Sequence, residues 1–228
     1  MTTESPSTRY EIKMAYEPGL TTELHSWINS HPAAFATAYP PRQVNSVYMD
    51  TPDLDSFNDH LAGVPTRRKL RFRWYGENLA KARGIMEVKN KSERVGWKIT
   101  QPVDCEFDLA YMSWLEIMQT LRNNTTDLVL EMLAVARPVV LIVYFREYYI
   151  SGDGLVRLTI DNDLRSYDQL MTASPNIWFC QPLEQATVVE LKSDSGNATY
   201  ISDILSHFPN RSNRYSKYTS NLSLSLVR

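Results

Sequence analysis

The stretch Lys69-Leu70-Arg71-Phe72-Arg73-Trp74-Tyr75 alternates cations with large apolar residues at a period of two. Successive side chains of a β-strand point to opposite faces, so Lys69, Arg71 and Arg73 project from one side of a sheet and Leu70, Phe72 and Trp74 from the other. The same phase recurs along the chain. Arg9, Glu11 and Lys13 oppose Tyr10, Ile12 and Met14; Glu87, Lys89 and Lys91 continue the pattern. So do Tyr144, Arg146 and Tyr148, then Arg157, Thr159 and Asp161, then Glu190 and Lys192. A half-solvated antiparallel sheet also alternates polar with apolar residues. Such a face usually mixes Thr, Ser, Gln, Lys and Glu, however, whereas Arg and Lys dominate these positions.

Like charges packed this way repel. At a separation of about 6 Å the cost is about 0.7 kcal/mol in water and about 3 kcal/mol at an effective dielectric of about 20. The array is tolerable where the face stays wet and an anion of high charge density neutralises it. Phosphate chains meet that need, because charge-assisted hydrogen bonds from Arg forks and Lys ammoniums are the strong ones. The few acids in the phase, Glu11, Glu87, Asp161 and Glu190, suit a hard divalent cation that bridges carboxylate to phosphate better than they suit direct contact with a polyanion.

Outward from this stretch, Tyr10 to Tyr16 reads as a strand ended by Pro18-Gly19, and Thr21 or Thr22 caps a short helix carrying Leu24, Trp27 and Ile28. Pro40-Pro41 forces extended chain before a strand over 43–49. Thr51 as N-cap with Pro52 at the first helical position predicts a helix ending near Gly63. Hairpins are predicted over 84–100, across the turn 91–94, and over 139–161, across Ser151-Gly152-Asp153-Gly154. Helical periodicity covers 111–122, 127–135, 199–207 and 215–226; a strand covers 187–192, and 164–185 has no clear period and reads as loop. About eight hairpin-connected strands with inserted helices make an α+β fold: an antiparallel β-barrel of about eight strands, its charged phase inside and its apolar phase covered by helices packed outside. The expected unit is a single domain over 1–228.

Composition bounds the rest. The chain has 228 residues, 43% of them hydrophobic and 22% charged, with Lys+Arg 24 against Asp+Glu 26 for a net charge of -2. Disorder, collagen-like sequence and a disulfide scaffold are excluded, and a generally basic nucleic-acid binder is disfavoured. Cys105 and Cys180 lack a partner at metal-ligand spacing and read as ordinary thiols. The polar amino terminus and an apolar run no longer than Val139 to Phe145 predict a cytoplasmic chain with no membrane segment. His25, His31, His60 and His207 read as surface or packing residues, and no phosphate-binding loop or dinucleotide fingerprint is present.

Five segments taken in order, Arg9-Tyr10-Glu11-Ile12-Lys13, Val44 to Pro52, Lys69 to Gly76, Glu87-Val88-Lys89 and Ser216-Lys217-Tyr218, resemble the VTC (vacuolar transporter chaperone) domain of the triphosphate tunnel metalloenzymes, a group that includes polyphosphate polymerases. The resemblance spans nearly the whole chain. It implies an antiparallel β-tunnel whose lining holds ATP, another triphosphate or polyphosphate with a divalent metal, manganese or magnesium. Lys13, Arg71, Arg73, Lys89, Arg146 and Arg157 would be its catalytic cations. Lys69, Lys91, Lys98, Tyr144, Lys192, Arg214, Ser216 and Lys217 would be further phosphate ligands, the last three at the tunnel mouth, and Glu190 with Glu11 would face the metal. The superfamily opens with Glu-x-Glu-x-Lys, and Arg9 replaces the first Glu here, which favours the VTC branch and leaves fewer acids for a second metal. The expected activity is transfer of the ATP γ-phosphoryl group to a polyphosphate chain. Hydrolysis of tripolyphosphate or nucleoside triphosphates, and polyphosphate sensing without catalysis, are the alternatives. The membrane segments and amino-terminal phosphate-sensing domain of fungal VTC complexes have no counterpart in the sequence, so coupling to translocation is not expected.

Overall fold

The computed structural model describes residues 2–3, 9–16, 21–93, 95–181, 187–194, 196, 198–206, 208 and 216–226. In chain order the elements are β1 (Thr2–Thr3), β2 (Arg9–Tyr16), α1 (Thr21–Ser30), β3 (Ala36–Asp50), α2 (Asp55–Leu61), β4 (Thr66–Tyr75), β5 (Lys81–Ser92), β6 (Val95–Asp108), α3 (Trp114–Asn123), α4 (Asp127–Val135), β7 (Arg137–Ile150), β8 (Arg157–Asp168), β9 (Thr187–Asp194), α5 (Ala198–Ser206) and α6 (Lys217–Leu226). All strands pair antiparallel in one sheet of order β1-β6-β5-β4-β3-β7-β8-β9-β2. The expected strands are all present as β2 to β9, and the two-residue β1 adds another.

The sheet curls until its ends meet by side chain: Glu11 on β2 lies 3.6 Å from Lys89 on β5. It is a tunnel, but the hydrogen-bonded ring of a full barrel is not completed. The free edge of β6 is taken by β1, through Thr2 opposite Thr100 and Thr3 opposite Ile99, and no ladder joins β2 to it among the described residues. Bulges set the curvature, with register shifts at Tyr39/Arg42, Arg83/Ile85 and Val143/Phe145. Gly84 sits at one of them because a Cβ there would lie 2.0 Å from the Arg73 carbonyl oxygen.

Several boundaries differ from the sequence reading. The strand expected from residue 43 begins at Ala36, and Pro40-Pro41 falls inside it at a bulge, where proline withholds no ladder hydrogen bond. The stretch read as loop from 164 is strand as far as Asp168, paired with Val140 to Val143; the bulge at Val143/Phe145 breaks the period that would have announced it. Thr51 is not the N-cap residue of α2, which is Leu54, although its hydroxyl accepts from the Asp55 N–H at 3.1 Å. Asp50 accepts hydrogen bonds from the backbone of Thr51, Ser56 and Phe57 and from the Tyr218 hydroxyl, which folds 51–54 into a turn and delays α2 to Asp55, after Leu54 at φ 58. Helix α3 starts at Trp114 instead of Tyr111, because Ser113 and Glu116 form a capping box.

Two cores lie outside the tunnel, as the apolar phase requires. Leu70, Phe72, Trp74, Met86 and Val88 pack against Ile117, Met118 and Leu121 of α3 and Val129 and Leu133 of α4. Met14, Leu158, Ile160, Val189 and Leu191 pack against Leu24 and Ile28 of α1 and Ile201 and Ile204 of α5. Helix α6 departs from the expectation of helices packed outside. Its Tyr218 and Leu222 join Tyr48, Val140, Ile142, Tyr144 and Val188 in a third core on the inner face, so one end of the tunnel is apolar and filled. Among the described residues no helix is long and apolar enough to cross a membrane.

Candidate functional site: a cation-lined tunnel

Register turns the charged phase into one surface. Arg71 lies opposite Glu87 and Tyr48, and Lys69 opposite Lys89, which is itself opposite Lys98. On the other wall Arg146 lies opposite Asp161, Glu190 opposite Lys13 and Thr159, and Lys192 opposite Glu11 and Arg157. The expected ligands on these strands therefore share a single lining, in which cations outnumber carboxylates.

The acids divide into two kinds. Glu87, 1% exposed at its side chain, accepts a 2.5 Å hydrogen bond from Arg71 Nε and lies 3.4 Å from Arg73 and 3.5 Å from Lys98. Burial would raise its pKa, but Arg71, Arg73 and Lys98 win and hold it at about 2. Asp161, fully buried, takes both nitrogens of the Arg146 fork, at 2.5 and 2.7 Å, and the Lys217 ammonium. These two carboxylates are counter-ions that set guanidinium geometry, a correction to the expectation that all four acids face a metal. Glu11 and Glu190 differ. Both reach Lys13 Nζ, at 2.5 and 3.1 Å, and both approach Lys192 Nζ, at 3.9 and 3.1 Å. Burial of Glu190 is overridden by Lys13 and Lys192, which hold it ionised well below the usual carboxylate range.

Other cations have weaker compensation. Lys69 donates to Ser216 Oγ at 2.9 Å, and burial together with Lys89 and Lys13 lowers its pKa to about 7. Lys89 is lowered to about 7 as well, by Lys13 first and burial second. The Tyr48 hydroxyl accepts from Arg71 Nη1 at 3.1 Å; burial would raise its phenol, yet Arg71 and Arg73 hold it below its usual value. Tyr144 lies beneath Arg146 and Lys217, at 5.2 and 4.7 Å from its ring centroid.

Thus Lys13, Lys69, Arg71, Arg73, Lys89, Lys98, Tyr144, Arg146, Lys192, Ser216 and Lys217 come together with Glu11 and Glu190. Arg157 and Lys91 stand exposed at opposite ends of the lining. Ser216 and Lys217, expected at the mouth, are instead drawn inside by Lys69 and Asp161. Arg214 lies outside the described residues, and Arg9 is placed only by its backbone pairing with Asp194. Tyr48 and Asp50 are site residues that the sequence reading missed; Tyr48 shares the parity of Ser46 and pairs with Arg71, a signal available only once the register is known. Of the histidines, His25 pairs with Glu147 at 2.9 Å and His31 packs between Trp27 and Phe35, while burial and Lys69 hold the part-buried His60 near 4. His207 lies outside the described residues.

A divalent metal implied by the tunnel fold finds a partial cage. No group of three or more His, Cys, Asp or Glu side chains converges among the described residues. Glu11 and Glu190 do converge, on the Lys13 ammonium. A magnesium-sized ion typically takes one or two carboxylates and draws its remaining ligands from phosphate and water, so this pair fits an ion shared with a bound phosphate and not a protein-only site.

A family model described as the VTC domain matches residues 8–226. No curated protein matches the chain in sequence. Among solved structures, HpAC1 from Hippeastrum, described as having a dominant triphosphatase activity, is similar at 15% identity and a TM-score of 0.55, over 93% of this chain and 94% of its own. A Bacillus halodurans protein described as a candidate adenylate cyclase aligns at 12% identity and TM-score 0.55, covering 96% and 98%. The PH1819 protein of Pyrococcus horikoshii OT3 aligns at 13% identity and TM-score 0.53, covering 96% and 98%. At such identities these likenesses show the triphosphate-tunnel fold.

Proposed function

The chain belongs to the VTC domain family, and from that premise we propose that it is a metal-dependent phosphotransferase of the polyphosphate polymerase type, moving the γ-phosphoryl group of ATP onto a polyphosphate chain in the tunnel, with residues 1–228 as one catalytic unit. The observation that carries this reading is the facing of Arg71, Arg73, Lys69, Lys89 and Lys98 on one wall with Arg146, Lys13 and Lys192 on the other. Phosphoryl transfer needs little covalent help from protein; positioning and charge neutralisation supply most of the catalysis. Arg71 and Arg146, clamped by Glu87 and Asp161, present their remaining donors in fixed directions to phosphate oxygens. Lys69 and Lys89 supply charge that a polyanion itself consolidates. Glu11 and Glu190 would hold a manganese or magnesium ion, which would neutralise charge on the transferring phosphoryl group.

Hydrolysis is the second reading, favoured by one observation: α6 fills one end of the tunnel with Tyr218 and Leu222, so a long chain has no straight passage through. The triphosphatase activity described for HpAC1 agrees with it. Time-resolved ³¹P NMR with ATP and manganese separates the two. Internal-chain phosphate signals support polymerisation, orthophosphate alone supports hydrolysis, and an unchanged spectrum removes both.

Two binding properties follow from the lining. Triphosphate affinity is expected to fall at least about tenfold between about 0.05 and about 0.5 M salt, because many cations neutralise one polyanion and screening shortens with salt. Binding at pH 8 is expected to take up protons. Lys69 and Lys89, at about 7, are mostly neutral there, and a polyanion favours their charged forms. Calorimetry in buffers of different ionisation enthalpy reads this uptake; heats that do not depend on the buffer would contradict it.

A further inference from the structure

Past the last guanidiniums, the inner faces of β3, β4 and β7 end in a cluster of rings. Tyr75 lies two residues beyond Arg73, and Tyr148 two beyond Arg146, on the same faces. Between them stands Arg42, opposite Arg146 in register. Its guanidinium carbon lies 4.0 Å from the Tyr75 ring centroid and 5.2 Å from that of Tyr148, and its Nε donates to the Tyr148 hydroxyl at 2.9 Å. Tyr39 meets Tyr148 edge to face at 5.8 Å. The cluster is open to solvent, with Tyr39 64% and Tyr75 44% exposed.

The platform is held from behind. Gly76, at φ 114, turns its carbonyl to the buried side chains of Gln43 and Asn45, which donate to it at 3.1 and 2.9 Å, while its own N–H donates to the Gln43 carbonyl at 3.2 Å. Arg165 donates to Gln43 Oε1 at 3.1 Å and fixes that amide in turn. Two buried side chains, Gln43 and Asn45, thus spend hydrogen bonds on the backbone beside an exposed tyrosine ring. A solvated strand end requires no such support.

We infer that Tyr75, Arg42 and Tyr148 form a stacking site for the nucleobase of a nucleoside triphosphate whose phosphates lie along the tunnel. The inference rests on the phosphate-binding reading proposed above. Two residues of strand rise about 7 Å, a span that a ribose bridges between a phosphate on Arg73 or Arg146 and a base on the rings beyond. Every base offers a π-face, and the Arg42 guanidinium, 4.0 Å from the Tyr75 ring centroid and hydrogen-bonded to the Tyr148 hydroxyl, ties the two rings into one cationic platform on which a base can stack. The site reads the presence of a base and not its identity, since stacking is tolerant of sequence. The aromatic side chains Tyr48 and Trp74 cannot serve this purpose: Tyr48 is 8% and Trp74 0% exposed.

Calorimetric titration of Tyr75→Leu with ATP and with tripolyphosphate tests the site. The ATP dissociation constant is expected to rise roughly 5- to 100-fold, while that for tripolyphosphate stays within about twofold, and Tyr75→Phe, which keeps the ring, restores ATP binding. Equal changes for the two ligands, or none for ATP, overturn the inference and leave the phosphate reading standing. Failure of the wild-type protein to bind tripolyphosphate removes both. Saturation-transfer NMR on wild-type protein provides a check independent of the variant's folding: irradiating tyrosine ring protons should transfer saturation to the adenine ring protons of ATP, and its absence overturns the site.

Discussion

Replacing Glu87 by glutamine is expected to lower the melting temperature of the free protein by about 10 °C and, at the same time, to enlarge its stabilisation by tripolyphosphate. The carboxylate is buried and neutralises Arg71, Arg73 and Lys98 together. Breaking a buried ion pair from one side costs about 3–5 kcal/mol, because the remaining charges stay desolvated without compensation, and for a chain of this length each kcal/mol is worth about 2–4 °C. The depressed acidity of Glu87 gives an independent figure. A carboxyl held at about 2 in the folded protein, against 4.5 when free, contributes about 3 kcal/mol. Because its folded value is depressed, that stability is present above 4.5 and is lost as pH falls through about 2, so the variant should show a flatter acid limb than wild type. A polyanion can supply the missing negative charge, which is why the ligand should stabilise the variant more. A wild-type melting temperature, or a smaller tripolyphosphate shift than in wild type, would contradict this account of Glu87.

The role of Glu87 also marks how far the sequence could be read. The alternation around Arg71 announces β4, its two faces and a cation-rich lining, since period two is a local property and charge needs no partner to be seen. Glu87, Asp161 and Glu190 are indistinguishable at that level. Whether a carboxylate clamps a guanidinium or stands beside ammoniums depends on register across a sheet whose bulges shift pairing at Arg83/Ile85 and Val143/Phe145. The terminal helix shows the same limit: its periodicity marks 215–226 as helical but not that Tyr218 reaches back to Asp50, 168 residues away, and plugs the tunnel. The Tyr75 and Arg42 stack joins two strands that carry no common motif, so neither residue stands out alone.

Glu190→Gln is the counterpart of Glu87→Gln and should behave differently. Glu87 is held by two guanidiniums whose planes are fixed, with side chains 16% and 12% exposed. The nearest partners of Glu190 are the flexible ammoniums of Lys13 and Lys192, 29% and 33% exposed, each at 3.1 Å. Those side chains can swing toward phosphate and leave Glu190 and Glu11 facing a common point, where a hard cation gains two full charges of oxygen ligand. The variant keeps the volume of the side chain and removes one of those charges. Turnover of ATP with manganese is therefore expected to fall about 10²- to 10³-fold, on the scale of losing one transition-state charge contact. Manganese affinity in the presence of tripolyphosphate, followed by electron paramagnetic resonance, should weaken at least about tenfold, since a carboxylate ligand is worth more than 1.4 kcal/mol to a divalent ion in a partly buried site. The melting temperature should fall less than in Glu87→Gln, because released ammoniums can reach water where clamped guanidiniums cannot. The opposite result, unchanged manganese affinity and turnover with a large loss of stability, would make Glu190 a third structural counter-ion beside Glu87 and Asp161, and would leave the tunnel to handle triphosphates by its own cations alone.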